Sequence, residues 1–254
     1  MRILMVGTGY VGLSLIKNWK DPTYITITTT ESKMRELPNP HLVEIKKETD
    51  LSPLLHNIDA IIISAAKRPQ SSYKESYLDI AQAIKNSLFN SSHPIQVIYT
   101  SSTSVYTDPP LENTKILQQT EETYLSLQAK DRPVCIFRLG GIYGPGRTLK
   151  ERAVFISEHG LRGTGEEKTN NIHLDDIVGA LKFAVKKKLS GIFNLVADDH
   201  PTRLELYTKI CEKYNLPSPK ISQESPSMHI SNHPVSNIEI KREGYHFLHP
   251  HLEI

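Results

Sequence analysis

Three glycines with a fixed spacing directly follow the first apolar segment of the chain. The six residues from Gly7 to Gly12 have the form G-x-G-x-x-G, and they open a helical pattern. In this form the first glycine permits a tight turn, the second lets a pyrophosphate approach the backbone, and the third allows close packing of a helix on a strand. The free N–H groups at the start of the helix attract the phosphates. The pattern predicts that a dinucleotide contacts Gly7, Gly9, Tyr10, Val11 and Gly12; the alternative is a glycine-rich turn without a ligand.

An acidic residue after the second predicted strand bears on which dinucleotide would bind. Glu31 lies 19 residues after Gly12 and follows that strand. A carboxylate there accepts hydrogen bonds from a free ribose 2′-hydroxyl and repels a 2′-phosphate, which favours NAD over NADP. The alternative is a solvated glutamate without a ligand. Lys33 and Arg35 lie close by in the sequence and leave NADP open.

Two further pairs of residues are predicted to line the same site. Asp50 and Leu51 follow the weak third strand, where adenine is expected. Ala65 and Ala66 end the fourth strand, where small side chains let the cofactor pass over the sheet.

Composition and charge restrict the class of protein. The chain has 254 residues with 30 Lys and Arg against 28 Asp and Glu, so the net charge is +2. This balance argues against nucleic acid as the main partner, because phosphate binding needs concentrated basic residues. The densest apolar stretch, from Ile58 to Ala66, is too short to span a membrane. The first residues reach Gly7 too soon for a signal peptide, so we expect a cytoplasmic protein.

The cysteines and histidines of the chain do not have the spacing of a known metal-binding motif. Cys135 and Cys211 are the two cysteines, too few for a thiolate zinc site, and both are predicted to be core thiols. His246, His249 and His251 are close in sequence but lack acidic or thiol partners beside them. No metal site is predicted.

Short apolar runs alternate with helical patterns along most of the chain. Runs rich in Ile, Val, Thr and Tyr without polar alternation are typical of strands covered on both faces. The predicted strands are residues 2–6, 24–30, 42–45, 58–64, 95–100, 134–139 and 192–196. The predicted helices are residues 10–20, 73–88, 115–127, 176–187 and 203–214, with Asp175 or Asp176 capping the fourth, and residues 216–236 are predicted to be a long surface loop.

This alternation favours an α/β fold with a Rossmann-type doubly wound parallel sheet. We expect a dinucleotide-binding core over residues 1–146. A small C-terminal substrate lobe over residues 147–254 would also complete the sheet.

Several ordered motifs resemble the extended and atypical short-chain dehydrogenases/reductases of the NAD-dependent epimerase/dehydratase kind. Besides the glycine motif, they are Ser64 to Ala66, Tyr99 to Tyr106, Arg138 to Arg147, Ile172 to Asp176 and Asn194 to Asp199. The resemblance spans nearly the whole chain. It implies a catalytic hydroxyl on the fifth strand, matched here by Ser102, which would steady the reacting oxygen; the alternative is a structural hydroxyl.

The resemblance also implies a Tyr-x-x-x-Lys pair that this chain lacks. In the family the tyrosine moves a proton and the lysine lowers its pKa. None of the 11 tyrosines has a lysine four residues later. Tyr143 and Tyr106 are the candidates to replace the tyrosine, although packing roles are the alternative for both. His173 is interpreted as a structural residue rather than an acid or base.

Substrate contacts also depart from the family pattern. In nucleotide-sugar epimerases an Asn that touches the substrate diphosphate follows the sixth strand, and the matching position here is Gly141. The Arg usually found shortly before the Ile-His pair is replaced by Thr169. Arg147 and Arg152 are candidates for cationic contacts, with ordinary surface arginines as the alternative.

Two functional hypotheses follow from these motifs. The first is an NAD-dependent oxidoreductase or epimerase-like enzyme with a small-molecule substrate, such as a nucleotide sugar. The second is a non-catalytic dinucleotide-binding sensor or scaffold. The resemblance also implies a homodimer.

Overall fold

The computed structural model describes residues 1–68, 70–89, 91, 93–222 and 233–254. The chain forms two compact units. The first contains Met1–Ser102, Glu112–Arg138 and Val178–Phe193, and the second contains Thr103–Leu111, Leu139–Ile177 and Asn194–Ile254. Each unit is thus built from three separate stretches, whereas the sequence analysis predicts a single boundary after residue 146.

The described residues contain the seven predicted strands and four short strands that were not predicted. They are β1 (Arg2–Val6), β2 (Thr23–Thr28), β3 (Pro40–Leu42), β4 (Ala60–Ile63), β5 (Gln96–Ser102), β6 (Val134–Leu139), β7 (Gly141–Tyr143), β8 (Leu161–Arg162), β9 (Asn171–His173), β10 (Gly191–Leu195) and β11 (Ile221–Ser222). The four that were not predicted are β7, β8, β9 and β11. One sheet has seven strands in the order β10-β6-β5-β4-β1-β2-β3. Two small sheets pair β11 with β8 and β7 with β9.

The seven-stranded sheet confirms the predicted Rossmann-type fold. β1 pairs in parallel with both β2 and β4, and β2–β3 and β4–β5 are parallel as well. The chain runs outward from β1 to β3 on one side, then crosses back to place β4 on the other side of β1. This reversal is the topological switch point at which doubly wound sheets bind ligands, beyond the carboxyl ends of the strands.

Helices fill the connections between the strands. They are α1 (Tyr10–Asn18), α2 (Asp79–Leu88), α3 (Glu112–Leu125), α4 (Leu149–His159), α5 (Leu174–Lys187), α6 (Arg203–Lys213) and α7 (Ile238–Arg242). The five predicted helices are confirmed with shifted ends. α5 begins at Leu174, so Asp175 and Asp176 lie in its first turn and the prediction that one of them caps the helix is wrong.

The sequence analysis missed α4 and α7. α4 begins with a capping box in which the Thr148 hydroxyl accepts from the Glu151 N–H and the Glu151 carboxylate accepts from the Thr148 N–H. This Thr-x-x-Glu pattern was readable in the sequence. In the predicted loop of residues 216–236, Ile221–Ser222 forms β11, and residues 223–232 lie outside the described residues.

β1 and β4, the strands next to the switch point, are almost entirely buried. All four residues of β4 are buried, as are four of the five in β1. Cys135 and Cys211 are free thiols and both are buried, as predicted. Among the described residues, no helix has both the length and the apolar character that a membrane span requires.

A buried ion pair ties α3 to the sheet. Glu121 on α3 accepts hydrogen bonds from the Arg138 side chain on β6 through both carboxylate oxygens: Oε2 accepts from Nη2 at 2.6 Å and from Nε at 3.1 Å, and Oε1 also accepts from Nε at 3.1 Å. Oε1 accepts in addition from the Ser101 hydroxyl on β5 at 2.6 Å. The Glu121 side chain is 4% exposed and that of Arg138 is 18% exposed. The Glu121 carboxylate therefore links α3 to β5 and β6 in the first unit.

Replacing this carboxylate is expected to destabilise the protein strongly. Glu121→Ala leaves the Arg138 guanidinium partly buried without its counter-charge, which costs about 3–5 kcal/mol. Chemical denaturation measures this change in the free energy of unfolding. The control is Glu122→Ala, which removes the exposed carboxylate next along the same helix and should change stability by less than about 0.5 kcal/mol. Equal losses in the two variants would contradict this role for the buried pair.

Candidate functional site

The glycine loop brings three backbone segments of the first unit into close contact. Gly7 has φ of +92°, a conformation that favours glycine. A Cβ atom there would lie 2.5 Å from the carbonyl oxygen of Ser64, just after β4. A Cβ atom on Gly12 would collide with the carbonyl oxygen of Gly7 and lie 2.8 Å from Cε of Met5. Glycine at both positions lets α1 pack directly against the end of β1.

Gly9 differs from its two neighbours because it faces open space. A Cβ atom at Gly9 would meet no atom within 4 Å. Gly9 is also the N-cap of α1, without a side-chain hydrogen bond to the cap, and the first turn of α1 carries no acidic residue. The start of α1, where the first N–H groups and the positive end of the helix dipole lie, therefore borders this open space. An anion is the ligand that such an arrangement favours.

A cleft begins at this loop and extends across the ends of β1, β2 and β4. Gly7, Gly9, Ala65 and Ala66 all line it, so these predicted residues are brought together. Tyr10 is half-buried at the start of α1, and Val11 and Gly12 are buried beneath the loop. The remaining lining residues include Val6, Thr8, Ile27, Thr28, Thr29, Thr30, Lys33, Val43, Ile45, Ser64, Lys67 and Arg68.

Asp50 and Leu51 are not among the lining residues. Leu51 is 2% exposed, and its N–H donates to the hydroxyl of Ser87 at 2.8 Å. Asp50 is exposed and accepts hydrogen bonds from Ser52, which lower the pKa of its carboxyl. Val43 and Ile45 line the cleft instead. The reason is that β3 ends at Leu42, earlier than predicted, so the residues that reach the cleft come sooner in the sequence.

The end of β2 is also earlier than predicted, which changes the surroundings of Glu31. β2 ends at Thr28, and Glu31 begins a 3₁₀ turn that ends at Glu36. The Glu31 side chain is exposed and lines a second cavity, which adjoins the cleft at the glycine loop and shares Thr29 and Arg68 with it. Thr28, Thr29 and Thr30 occupy the cleft where β2 ends.

Lys33 places a positive charge at the glycine loop. Its Nζ donates to the carbonyl oxygen of Thr8 at 3.3 Å, and the residue lines the cleft. Two further cations line the cleft: Arg68 forms an ion pair with Glu44 at 2.8 Å, which balances its charge, and Nζ of Lys67 donates to the carbonyl oxygen of Arg68 at 3.0 Å. Arg35 is exposed and does not line the cleft. The sequence shows a lysine close to the end of β2. That its side chain reaches Thr8 depends on where β2 ends, which the sequence did not predict correctly.

The three predicted catalytic residues have different surroundings. Ser102 is the last residue of β5 in the first unit and is half-buried. Tyr106, in the second unit, is 41% exposed, and its hydroxyl lies 2.9 Å from Oδ1 of Asn194. Tyr143 is 3% exposed and packs edge-on against the His173 ring. Burial raises the pKa of Tyr143 to about 12, the opposite of the shift that a catalytic tyrosinate needs.

α3 offers no tyrosine with a neighbouring cation. Its tyrosine, Tyr124, is fully buried, and burial raises the pKa of its hydroxyl. Its lysine, Lys115, is exposed and precedes the tyrosine.

Two polar side chains approach Gly141, where the family has an asparagine. Oδ1 of Asn171 is 2.9 Å and Nη1 of Arg152 is 3.6 Å from the position of a Cβ atom on Gly141, and Nη2 of Arg152 donates to the carbonyl oxygen of Ile142. Thr169 is buried and its hydroxyl donates to the carbonyl oxygen of Pro201 at 2.9 Å, a structural contact. Arg147 is exposed.

The glycine geometry gives a stability prediction. Gly12→Ala forces a methyl group against the Gly7 carbonyl, so unfolding should become easier by at least about 2 kcal/mol. Gly9→Ala is the matched control because its methyl group enters open space, and it should shift stability by less than about 0.5 kcal/mol. Thermal denaturation of both variants measures the difference. A stable Gly12→Ala variant would show that α1 does not pack as described.

Comparison with known proteins finds a similar curated protein and solved structures of similar fold. Protein YeeZ of Escherichia coli strain K12 is 26% identical over 243 residues, covering 86% of each chain. The solved structure of human epimerase family protein SDR39U1 (isoform 2), determined with NADPH, superposes with a TM-score of 0.78 at 18% identity, covering 99% of this chain and 96% of that one. The dTDP-glucose 4,6-dehydratase of Bacillus anthracis, determined with NAD, gives a TM-score of 0.75 at 17% identity, with coverage of 96% and 90%.

A family model extends over most of the chain. The model of the NAD dependent epimerase/dehydratase family matches residues 3–195, which include the glycine loop and the seven strands of the main sheet. The match also contains the serine-rich end of β5 and the motif from Arg138 to Arg147 that carried the resemblance in the sequence. The chain therefore belongs to the NAD dependent epimerase/dehydratase family.

Proposed function

We propose that this protein is an enzyme that binds a nicotinamide dinucleotide and acts on a hydroxyl or carbonyl group of a nucleotide sugar or a similar metabolite. The observation that carries the proposal is the open space at Gly9 in front of α1, bounded by backbone that Gly7 and Gly12 hold in place. Membership of the family and the NADPH or NAD present in similar solved structures support it. MoeE5, another similar structure, was solved with UDP-glucose and NAD.

The residues of the cleft fit a dinucleotide. The N–H groups at the start of α1 would hold the pyrophosphate, and Val43 and Ile45 offer apolar contacts for the adenine. Ala65 and Ala66 leave room above the end of β4. When bound, the nicotinamide ring supplies hydride transfer.

The charges at the end of β2 favour a coenzyme with a 2′-phosphate. Lys33 lines the cleft beside Thr8, whereas the exposed Glu31 lines another cavity. The hydroxyls of Thr29 and Thr30 would add hydrogen bonds to phosphate oxygens. We therefore place NADP(H) ahead of NAD(H), although Glu31 alone favours NAD in the sequence.

Replacement of Lys33 tests this preference. Lys33→Met keeps most of the aliphatic stem but removes the charge-assisted hydrogen bond, so NADPH affinity should fall about 10- to 100-fold. NADH affinity should remain unchanged. Fluorescence titration of both coenzymes measures the two affinities.

Arg35→Met is the matched control because it removes an exposed cation from the same 3₁₀ turn. It should alter neither affinity by more than about twofold, since exposed charges interact weakly. If Arg35→Met reproduced the loss, or if Lys33→Met weakened both coenzymes equally, the assignment of Lys33 would be wrong.

Ser102 and Tyr106 are the proposed catalytic residues. The Ser102 hydroxyl would hydrogen-bond to the reacting oxygen of the substrate, where a donor stabilises developing negative charge. Tyr106 is preferred to Tyr143 for the proton transfer because its hydroxyl is more exposed and is already oriented by Asn194. Tyr143 is buried, and its raised pKa favours a packing role.

Loss of the Ser102 hydroxyl is expected to affect turnover rather than coenzyme binding. A panel of nucleotide sugars and carbonyl metabolites, followed by NADPH oxidation, identifies a substrate. With that substrate, Ser102→Ala should lower kcat about 100-fold or more, with unchanged coenzyme affinity. Ser104→Ala removes a hydroxyl from the neighbouring 3₁₀ turn and serves as the control. Full activity in Ser102→Ala would contradict the proposed mechanism.

A dinucleotide-binding sensor or scaffold is the second candidate function. The observation that favours it is the composition of α3, where a buried tyrosine and an exposed lysine replace the usual catalytic pair. Tight coenzyme binding without hydride exchange to any member of the panel would support this candidate. A homodimer and a cytoplasmic location remain predictions from the resemblance and the composition.

A further inference from the structure

Two histidines from distant parts of the sequence meet in the second unit. His173 ends β9 and His249 lies near the chain end, 76 residues later. Their ring centroids are 3.8 Å apart. Glu253 joins them, and one potential ligand atom from each of the three side chains lies within 4.8 Å of the others. The spacing of His246, His249 and His251 did not reveal this cluster because His173 comes from another element.

The backbone around His249 is held by contacts that do not involve its side chain. Asp176 is fully buried, and its carboxylate accepts the N–H groups of Leu248 and His249 at 2.6 and 3.0 Å. The Tyr245 hydroxyl donates to the carbonyl oxygen of Asp176 at 2.7 Å. The segment that carries His249 is therefore fixed to the start of α5, which directly follows His173. Such preorganisation lowers the cost of assembling a set of ligands.

Carboxylates surround the two imidazoles. Oδ2 of Asp175 lies 3.6 Å from Nε2 of His249 and 3.7 Å from Nδ1 of His173. Oε1 of Glu253 lies 2.5 Å from Nδ1 of His249. The charge of these groups favours a cation, and a carboxylate beside a ligating histidine orients its ring.

We propose that His173, His249 and Glu253 bind one divalent transition-metal ion of the zinc type. Imidazole nitrogen and carboxylate oxygen are ordinary zinc ligands, and three protein ligands leave a fourth position for water. Asp175 is the outer residue: its backbone N–H donates to Nδ1 of His173 at 3.2 Å, which leaves Nε2 of His173 to bind the ion, and its carboxylate adds negative charge beside both rings. Because the ligands come from β9 and the chain end, the ion cross-links these two segments and stabilises the folded second unit. The site does not depend on the proposed dehydrogenase activity.

Zinc binding to the full chain tests this proposal directly. After removal of the affinity tag and treatment with a chelator, the protein is titrated with ZnCl₂ at neutral pH by calorimetry. We expect saturable binding of one Zn²⁺ per chain and a higher Tm in the zinc-loaded protein. In NMR spectra the imidazole signals of His173 and His249 should shift together. Absence of saturable binding would overturn the proposal.

Three variants distinguish the site from surface binding of zinc. His249→Ala and Glu253→Gln should each lower zinc affinity at least about 10-fold. Glu253→Gln guards against misfolding because the Glu253 side chain is exposed. His251→Ala is the matched control: His251 belongs to the same segment but contacts Asp199 at 3.0 Å instead of the cluster. An equal loss of zinc affinity in His251→Ala, or none in Glu253→Gln, would overturn the assignment.

Discussion

The close approach of α1 to the end of β1 is the constraint on which the rest of the site depends. Gly12 lies against the Gly7 carbonyl, and Gly7 lies against the Ser64 carbonyl just after β4. Because these two positions carry no side chains, the start of α1 can pack closely against the ends of β1 and β4. Their proximity fixes the switch point of the sheet and leaves the space at Gly9 open. Proteins achieve such backbone contacts almost exclusively with glycine.

Where each strand ends decides which side chains reach this space. β2 ends two residues earlier than predicted, so Glu31 lines the adjoining cavity and Lys33 lies beside Thr8. The proposed preference for NADP(H) therefore rests on where this strand ends rather than on the presence of an acidic residue. The same reasoning applies to β3, whose early end replaces Leu51 with Ile45 in the cleft.

Periodicity and motif spacing were sufficient to predict the sheet, five helices and the glycine loop, because each depends on local sequence. Strand ends were less predictable because they depend on pairing with distant strands. α4 was missed although its Thr148–Glu151 capping box was readable. The contact between His173 and His249 had no sequence signal, since tertiary structure alone brings these residues together.

We propose that the open space at Gly9 holds the pyrophosphate of a dinucleotide and that Nζ of Lys33 binds its 2′-phosphate. A crystal structure of the protein grown with excess NADP⁺ tests this most directly. We expect the pyrophosphate at the first N–H groups of α1 and a phosphate oxygen within hydrogen-bond distance of Nζ of Lys33. NADP⁺ absent from the cleft at saturating concentration, or bound with its 2′-phosphate away from Lys33, would contradict this proposal.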